Sequence, residues 1–140
     1  MDSGIELAKK SDIPLMLEFW RNTPGIELGG DDAESLVLFM QKNPSTCLII
    51  RNEEEIIGTV LGGYDGRRAF IYHLAVHHAF RGKGYGKKLL DGVITQFEAL
   101  KVEKIHLFVI NDNHAAITFY AKQGWVKRQD ITVFSFNPKK

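Results

Sequence analysis

With a single cysteine, Cys47, the chain has no partner for an internal disulfide. Nor does it have an apolar run near the ~20 residues that cross a bilayer, or the basic-then-apolar start of a secretion signal. Excess charge is missing too: 18 Lys plus Arg stand against 17 Asp plus Glu, a formal net charge of +1. Bulk electrostatics therefore give no reason to expect a nucleic-acid or membrane partner. Internal repeats and low-complexity linkers are absent as well. These absences leave one globular domain over residues 1–140 and, by default, a cytoplasmic location. One core suffices at this length, because such a chain buries roughly 68% of the surface its unfolded form exposes.

Periodicity places the elements. Ile5 to Ala8 reads as a short strand, and Ser11 as an N-cap for a helix whose apolar stripe is Ile13, Met16, Leu17 and Trp20, ending near Asn22 before Pro24. After a loop over Thr23 to Gly30, Asp31 and Glu34 form a capping box for a second helix with the stripe Ala33, Leu36, Val37 and Met40. Strands over Thr46 to Arg51 and Glu55 to Tyr64 are joined at Asn52 to Glu54. Asp65-Gly66 then turns the chain into a strand over Arg68 to His77, completing an antiparallel meander. A third helix, about Gly84 to Lys101, carries Leu89, Leu90, Val93, Ile94, Phe97 and Leu100 on its core face and feeds a strand at Lys104 to Ile110. A strand, helix, strand unit closes as a right-handed parallel crossover, so strand 104–110 should lie beside strand 68–77. A helix over 114–123 and short strands near 125–128 and 131–136 complete a mixed α/β sandwich. Trp20 and Trp125 are expected in the core.

The stretch from Val76 to Leu90 runs from an apolar strand through a basic, glycine-studded turn into an amphipathic helix. A helix N-terminus leaves backbone N–H groups unpaired, and glycines let an anion approach them closely. A Walker loop is excluded, since only three residues separate Gly82 from Gly86 and Lys88 stands where a hydroxyl is needed. A dinucleotide fingerprint is excluded because Lys87 occupies its third glycine position. What remains is Arg81-x-x-Gly84-x-Gly86, which resembles the R-x-x-G-x-G signature of the GNAT superfamily of acetyltransferases. Downstream, Asn113-His114-Ala115-Ala116-Ile117-Thr118-Phe119-Tyr120-Ala121-Lys122-Gln123-Gly124-Trp125 is similar to that family's N-x-x-A-x-x-x-Y-x-x-x-G-[FW] helix. The resemblance spans about residues 46–136.

This resemblance implies a GNAT-like fold: a mixed, mostly antiparallel sheet with a central splayed parallel strand pair, flanked by about four helices. It implies acetyl-CoA as cosubstrate and no metal. The pyrophosphate would lie on the turn Arg81, Gly82, Lys83, Gly84, Tyr85, Gly86 and Lys87, with Lys88 close by. The two parallel strands would part beyond a bulge, and the pantetheine arm would pair with backbone groups of Leu74, Ala75 and Val76. Asn113 matches the position that hydrogen-bonds that arm, and it equally suits an N-cap. Tyr120 matches the family's acid for the departing thiolate, with packing of helix 114–123 against the sheet as its competing role; a tyrosine stays protonated at neutral pH. Family members often carry a strand glutamate as base, but the comparable positions here are Tyr72, His73 and Phe108. His73 is thus the candidate base, with packing in the core as its competing role. His106 is a weaker candidate. His78 replaces a frequent proline, which puts the stiffness of the turn in question.

Transfer to a primary amine of a small molecule or peptide follows from the resemblance, without a covalent intermediate, since Cys47 has no evident base. Glu18, Glu27, Asp31, Asp32 and Glu34 would favour a cationic acceptor, or form a solvated face. Three other readings stay open: a CoA-binding regulatory module without activity, a protein N-terminal or lysine acetyltransferase, and a nucleic-acid contact at Arg81 to Lys88. The apolar segment Ile131 to Phe136 either pairs across a homodimer or is covered within the monomer.

Overall fold

The computed structural model describes residues 4–26 and 32–138. The chain divides into two compact units between Phe108 and Val109. In the first, β1 (Ile5–Leu7), α1 (Ile13–Arg21), α2 (Ala33–Lys42), β2 (Cys47–Asn52), β3 (Glu55–Tyr64), β4 (Ala69–Val76), α3 (Tyr85–Ala99) and β5 (Ile105–Leu107) follow in order. The strands form one sheet in the order β1-β2-β3-β4-β5, antiparallel except for the parallel β4–β5 pair that α3 connects. With α4 (His114–Lys122) in the second unit, four α-helices are described. Among the described residues no helix is long and apolar enough to cross a membrane.

Alternation along the strands sends side chains to two cores. On one face Ile13, Met16, Leu17 and Trp20 of α1 pack with Leu36 and Met40 of α2 over Cys47, Ile49 and Leu61. On the other, α3 buries Leu89, Leu90, Val93 and Phe97. Its approach depends on Gly62, where an added Cβ would lie 2.6 Å from the Phe97 ring and 2.8 Å from Val93. Leu100 lies just past the end of α3 and is exposed, so the core face stops one turn earlier than its stripe suggests. Trp20 is fully buried, as expected.

Two caps differ from expectation. A 3₁₀ turn over Lys10–Asp12 precedes α1, and Asp12 rather than Ser11 sits at the N-cap. The buried Asp12 carboxylate accepts from Lys9 N at 2.8 Å and from the Arg51 guanidinium, which also reaches Glu6 at 3.3 Å. These bonds outcompete a solvent-facing serine cap and tie the start of α1 to β1 and β2. At α2, Asp32 and Ser35 form the reciprocal cap, with Ser35 N donating to Asp32 Oδ1 at 2.8 Å and Asp32 N donating to Ser35 Oγ at 3.1 Å. The anticipated cap, Asp31, lies outside the described residues, as do Glu27 and part of the loop to Gly30. The Asp65-Gly66 turn forms as expected, Asp65 Oδ1 accepting from Arg67 N and Arg68 N at 2.7 and 2.8 Å.

The second unit contains α4, capped by Asn113, whose Oδ1 accepts from Ala116 N at 3.1 Å. It ends at Lys122, and Gly124 just beyond the C-cap takes a left-handed φ of 91°. Trp125 N donates to Tyr120 O at 3.0 Å, and the Tyr120 and Trp125 rings meet edge to face at 5.8 Å. Trp125 is only half-buried. No strand forms at 125–128 or 131–136 among the described residues, in contrast to the sequence pattern. A strand exists only as one side of a ladder, and apolar alternation supplies the side chains without supplying the partner. Phe134 and Phe136 are 92% and 86% exposed.

Candidate functional site

The site begins with a change of parity in β4. The β3–β4 ladder pairs Leu61 with Tyr72 and Thr59 with Ala75, so His73 and Leu74 together oppose Val60. This is a β-bulge. His73 takes φ 51° there, a left-handed conformation unusual for a residue with a side chain. In antiparallel pairing, successive residues direct their backbone groups to opposite neighbours. Before the bulge, Ala69 N donates toward β5, to Lys104 O at 3.2 Å; after it, His77 N donates toward β3, to Ile57 O at 2.7 Å. Odd-numbered residues thus face β5 before the bulge and β3 after it. Of the three expected pantetheine partners, Leu74 and Val76 therefore turn their N–H and C=O groups to the side where β5 would lie, while Ala75 turns to β3.

β5 is shorter than its apolar run. Parallel pairing covers only Ala69↔Ile105, Phe70↔His106 and Ile71↔Leu107, whereas β4 runs on to Val76. Strand 104–110 accordingly contracts to Ile105–Leu107, the residues that find ladder partners on β4. The parallel pair is present, and its strands part company beyond Ile71, as the resemblance implied.

Beyond β4 the turn is stiff although it holds His78 in place of proline. His77 Nδ1 accepts from Ala79 N at 3.1 Å, Phe80 N donates to His77 O at 2.8 Å, and the rings of His77 and His78 stack at 4.5 Å. Arg81 Nε donates to Val76 O at 3.1 Å. Gly82 and Gly84 follow with φ of 78° and 87°. Those dihedrals strain any L side chain, which is why glycine recurs here. Gly84 is the N-cap of α3 and offers no side-chain cap, and the first turn holds no acid. Instead Lys87 and Lys88 place positive charge at the positive end of the helix dipole, where it is unfavourable unless an anion joins them. Lys83 lies over Phe80 at 5.7 Å and Lys88 over Tyr85 at 5.8 Å, so aromatic rings hold two of the ammonium groups beside the turn. Lys87 pairs with Asp91 at 2.7 Å, an exposed pair that yields readily to a competing anion.

A cavity of about 500 Å³ opens against the same strand end. Its apolar part is Leu15, Phe19, Ile56 and Val76, and its polar part includes Glu18, Glu55, His77 and Arg81. Glu18 belongs to the acidic face anticipated on the N-terminal helices. Glu55, which the sequence marks only as the first residue of a strand, also lines this cavity. The signal that could have found it is register: with Gly58 opposite Val76, residues 55–57 must flank the start of the turn.

His73 joins a different set of contacts. Its ring lies 4.7 Å from that of Trp20, and its carbonyl accepts from Thr59 Oγ at 2.8 Å. His106 contacts the Phe70 ring at 5.5 Å. Tyr72 stacks on Phe70 at 6.4 Å, and Phe108 is 66% exposed. Cys47 is buried, and burial pushes its thiol up to about 12. In the second unit, burial pushes the Tyr120 hydroxyl up to about 12 as well, so it stays protonated. Asn113 caps α4 through Oδ1, as described, and its amide nitrogen is not needed for that bond.

Sequence and structure comparisons agree with this arrangement. The sequence pattern of the acetyltransferase (GNAT) family matches residues 14–125. An acetyltransferase of Pectobacterium atrosepticum is 31% identical over 129 residues, covering 92% of each chain. Among solved structures, Ard1 from Thermoplasma volcanium superposes with a TM-score of 0.78 at 22% identity, covering 88% of this chain and 82% of that one. The NatC complex bound to Gag peptide and CoA gives 0.79 at 18% identity, covering 90% and 86%. The family pattern covers most of the chain and the Pectobacterium relative nearly all of it, and the sheet carries the parting parallel pair that the motifs implied. This chain belongs to the GNAT acetyltransferase family.

Proposed function

We propose that the protein takes acetyl-CoA as donor and passes the acetyl group directly to a primary amine, and that the acceptor is a cationic small molecule or peptide. The observation that carries this reading is the junction of β4 and α3. A strand freed from its parallel neighbour leads through two left-handed glycines into a helix whose N-terminus has neither a side-chain cap nor an acid. Such a junction suits a ligand with an extended amide-bearing arm and an anionic end.

Acetyl-CoA, when bound, supplies a thioester carbonyl and a thiolate leaving group. The N–H groups of the first turn of α3, with Lys83 and Lys88, would hold the pyrophosphate. Leu74 and the Val76 N–H would face the arm, the Val76 carbonyl being taken by Arg81, and an N–H from this edge would steady the oxyanion that forms on attack. Glu18 and Glu55 line the cavity beside the strand end and would hold a cationic acceptor. Tyr120 would donate the proton that the departing thiolate takes. His73 is assigned to packing, because its ring lies against buried Trp20 and its backbone is committed to the bulge. Buried Cys47, with its raised thiol, favours direct transfer over an acyl-enzyme.

A second reading, a CoA-binding module without turnover, is favoured by one observation: Tyr72, His73 and Phe108 provide no strand carboxylate. A thiol-release assay with acetyl-CoA against cationic amines, neutral amines and a peptide array tests both. Turnover with cationic amines supports the proposal, and turnover confined to peptide N-termini or lysines reassigns the acceptor to protein. Tight CoA binding with no turnover on any amine supports the module.

A further inference from the structure

The bulge that redirects β4 is held from outside the strand. Thr59, fully buried on β3, donates its hydroxyl proton to His73 O at 2.8 Å and accepts from Trp20 Nε1 at 2.9 Å. Trp20, fully buried on α1, lays its ring on the His73 imidazole at 4.7 Å. One hydroxyl therefore bridges α1 to the single residue of β4 that takes a left-handed φ. Inside a core, each of these groups must find a partner, and the Thr59 hydroxyl serves as acceptor for one and donor for the other. Without it the buried Trp20 N–H would lose its acceptor, and His73 would lose a bond that holds it in its left-handed conformation.

We propose that Thr59 is a positioning residue for acetyl transfer: by locking the bulge at His73, it decides which backbone groups of Leu74 to Val76 face the cofactor arm. The inference rests on the acetyl-CoA reading above and adds a residue that touches neither cofactor nor acceptor. Parity makes the effect discrete. A strand that loses one bulged residue exchanges the two sides of every residue beyond it, so Ala75 would turn outward and Leu74 and Val76 would turn to β3. Because the lock also includes Trp20, whose helix supplies Leu15, Glu18 and Phe19 to the cavity, the same hydroxyl fixes the acceptor side relative to the cofactor side.

The test compares Thr59→Val, which keeps the shape and removes both hydrogen bonds, with Thr59→Ser, which keeps the hydroxyl. Three quantities are measured on each: acetyl-CoA affinity by calorimetry, kcat and KM for the best amine, and amide exchange at Ala75 and His77. Thr59→Val should weaken acetyl-CoA at least tenfold, lower kcat by a similar factor and speed exchange at Ala75 at least tenfold, while Thr59→Ser stays within about threefold of wild type in all three. Should Thr59→Val fail to fold, Trp20→Phe, which removes the indole N–H together with part of the buried ring, should still raise the KM for acetyl-CoA several-fold while Thr59→Ser does not. Loss of melting temperature with unchanged acetyl-CoA affinity and unchanged exchange at Ala75 would overturn the proposal. A wild-type protein that fails to bind acetyl-CoA would instead overturn the functional reading, and the exchange measurement would still decide whether Thr59 holds the bulge.

Discussion

Arg81 turns back on the strand it follows, its Nε donating to the carbonyl of Val76 at 3.1 Å. That bond closes the turn and leaves the terminal guanidinium nitrogens out of it. Arg81→Ala should weaken acetyl-CoA binding by about tenfold or less, because an exposed hydrogen bond of a charged group is lost while the backbone amides remain. Arg81→Lys should not restore it, since an ammonium lacks the rigid fork that lets one nitrogen bond the carbonyl while others project elsewhere. Calorimetry decides, and complete loss of binding in Arg81→Ala would show that the arginine rather than the amides is the main anion ligand.

The glycines divide by what each is asked to do. Gly84 takes φ 87° at the N-cap, so Gly84→Ala should cost about 1–2 kcal/mol of stability through the dihedral alone and should weaken acetyl-CoA by displacing the first N–H groups of α3. Gly86 has already joined the helix, so Gly86→Glu should leave the fold intact and abolish binding by placing a carboxylate at the seat of the anion. Thermal melts and calorimetry on the same two variants should give these opposite patterns.

Tyr120→Phe removes one oxygen and keeps the ring that meets Trp125 at 5.8 Å. Expected are a fall in kcat of about 10²–10⁴-fold and little change in acetyl-CoA affinity. The acid acts in its protonated form, and burial pushes it up to about 12. The wild-type kcat profile should therefore show no basic limb from this group near pH 10, where an ordinary tyrosine would ionise. Near-normal turnover in the variant would strike Tyr120 from the mechanism.

Asp12 is buried, which by itself would raise its carboxyl, yet the hydrogen bonds from Arg51 and Lys9 N outweigh burial and hold it below the ordinary range. A depressed folded value contributes stability that is fully present above the unfolded value of about 3.9 and is lost as pH falls through the folded value. The wild-type melting temperature should therefore drop below about pH 4, and Arg51→Ala should destabilise by roughly 2–4 kcal/mol at neutral pH because it strands a buried carboxylate. In that variant the acid dependence should weaken or reverse. A melting curve unaffected by Arg51→Ala would mean that the pair contributes nothing net.

Cys47 provides a check on the direct route. With its thiol pushed up to about 12 by burial, almost none is thiolate at neutral pH, so iodoacetamide should leave both the native thiol and the activity untouched. Unfolding in denaturant should expose it to quantitative labelling. Rapid inactivation of the native protein by alkylation would reopen a covalent route.

What the sequence discloses most clearly is whatever local chemistry alone decides. The run from Val76 to Leu90 is legible because its glycines fall where the turn takes left-handed dihedrals, at Gly82 and Gly84. The α2 cap lies at Asp32 with Ser35, a pairing that two adjacent aspartates disguise, since either can cap. The family resemblance implies a bulge, but its seat is opaque, because His73 is not a glycine and nothing around it in sequence marks a left-handed residue; Thr59 and Trp20, which contact it, belong to other elements. Glu18 and Glu55 share a cavity only because α1 packs across β3. The strands near 125–128 and 131–136 fail for the opposite reason, since a local pattern was present without a partner to complete it.

The uncapped start of α3 carries a thermal consequence. Its first turn contains lysines and no acid, and its last turn contains no base, so both ends of the helix dipole go without a compensating side chain. The helix therefore forgoes stability that an anion at its head would supply. Occupancy and melting should be linked, with stability rising by RT ln(1 + [L]/Kd) and the transition moving upward accordingly as acetyl-CoA is added. Sulfate or pyrophosphate alone should reproduce part of that rise, while chloride at equal ionic strength should not. A melting temperature read in phosphate buffer would then report the head of one helix as much as the strength of the core.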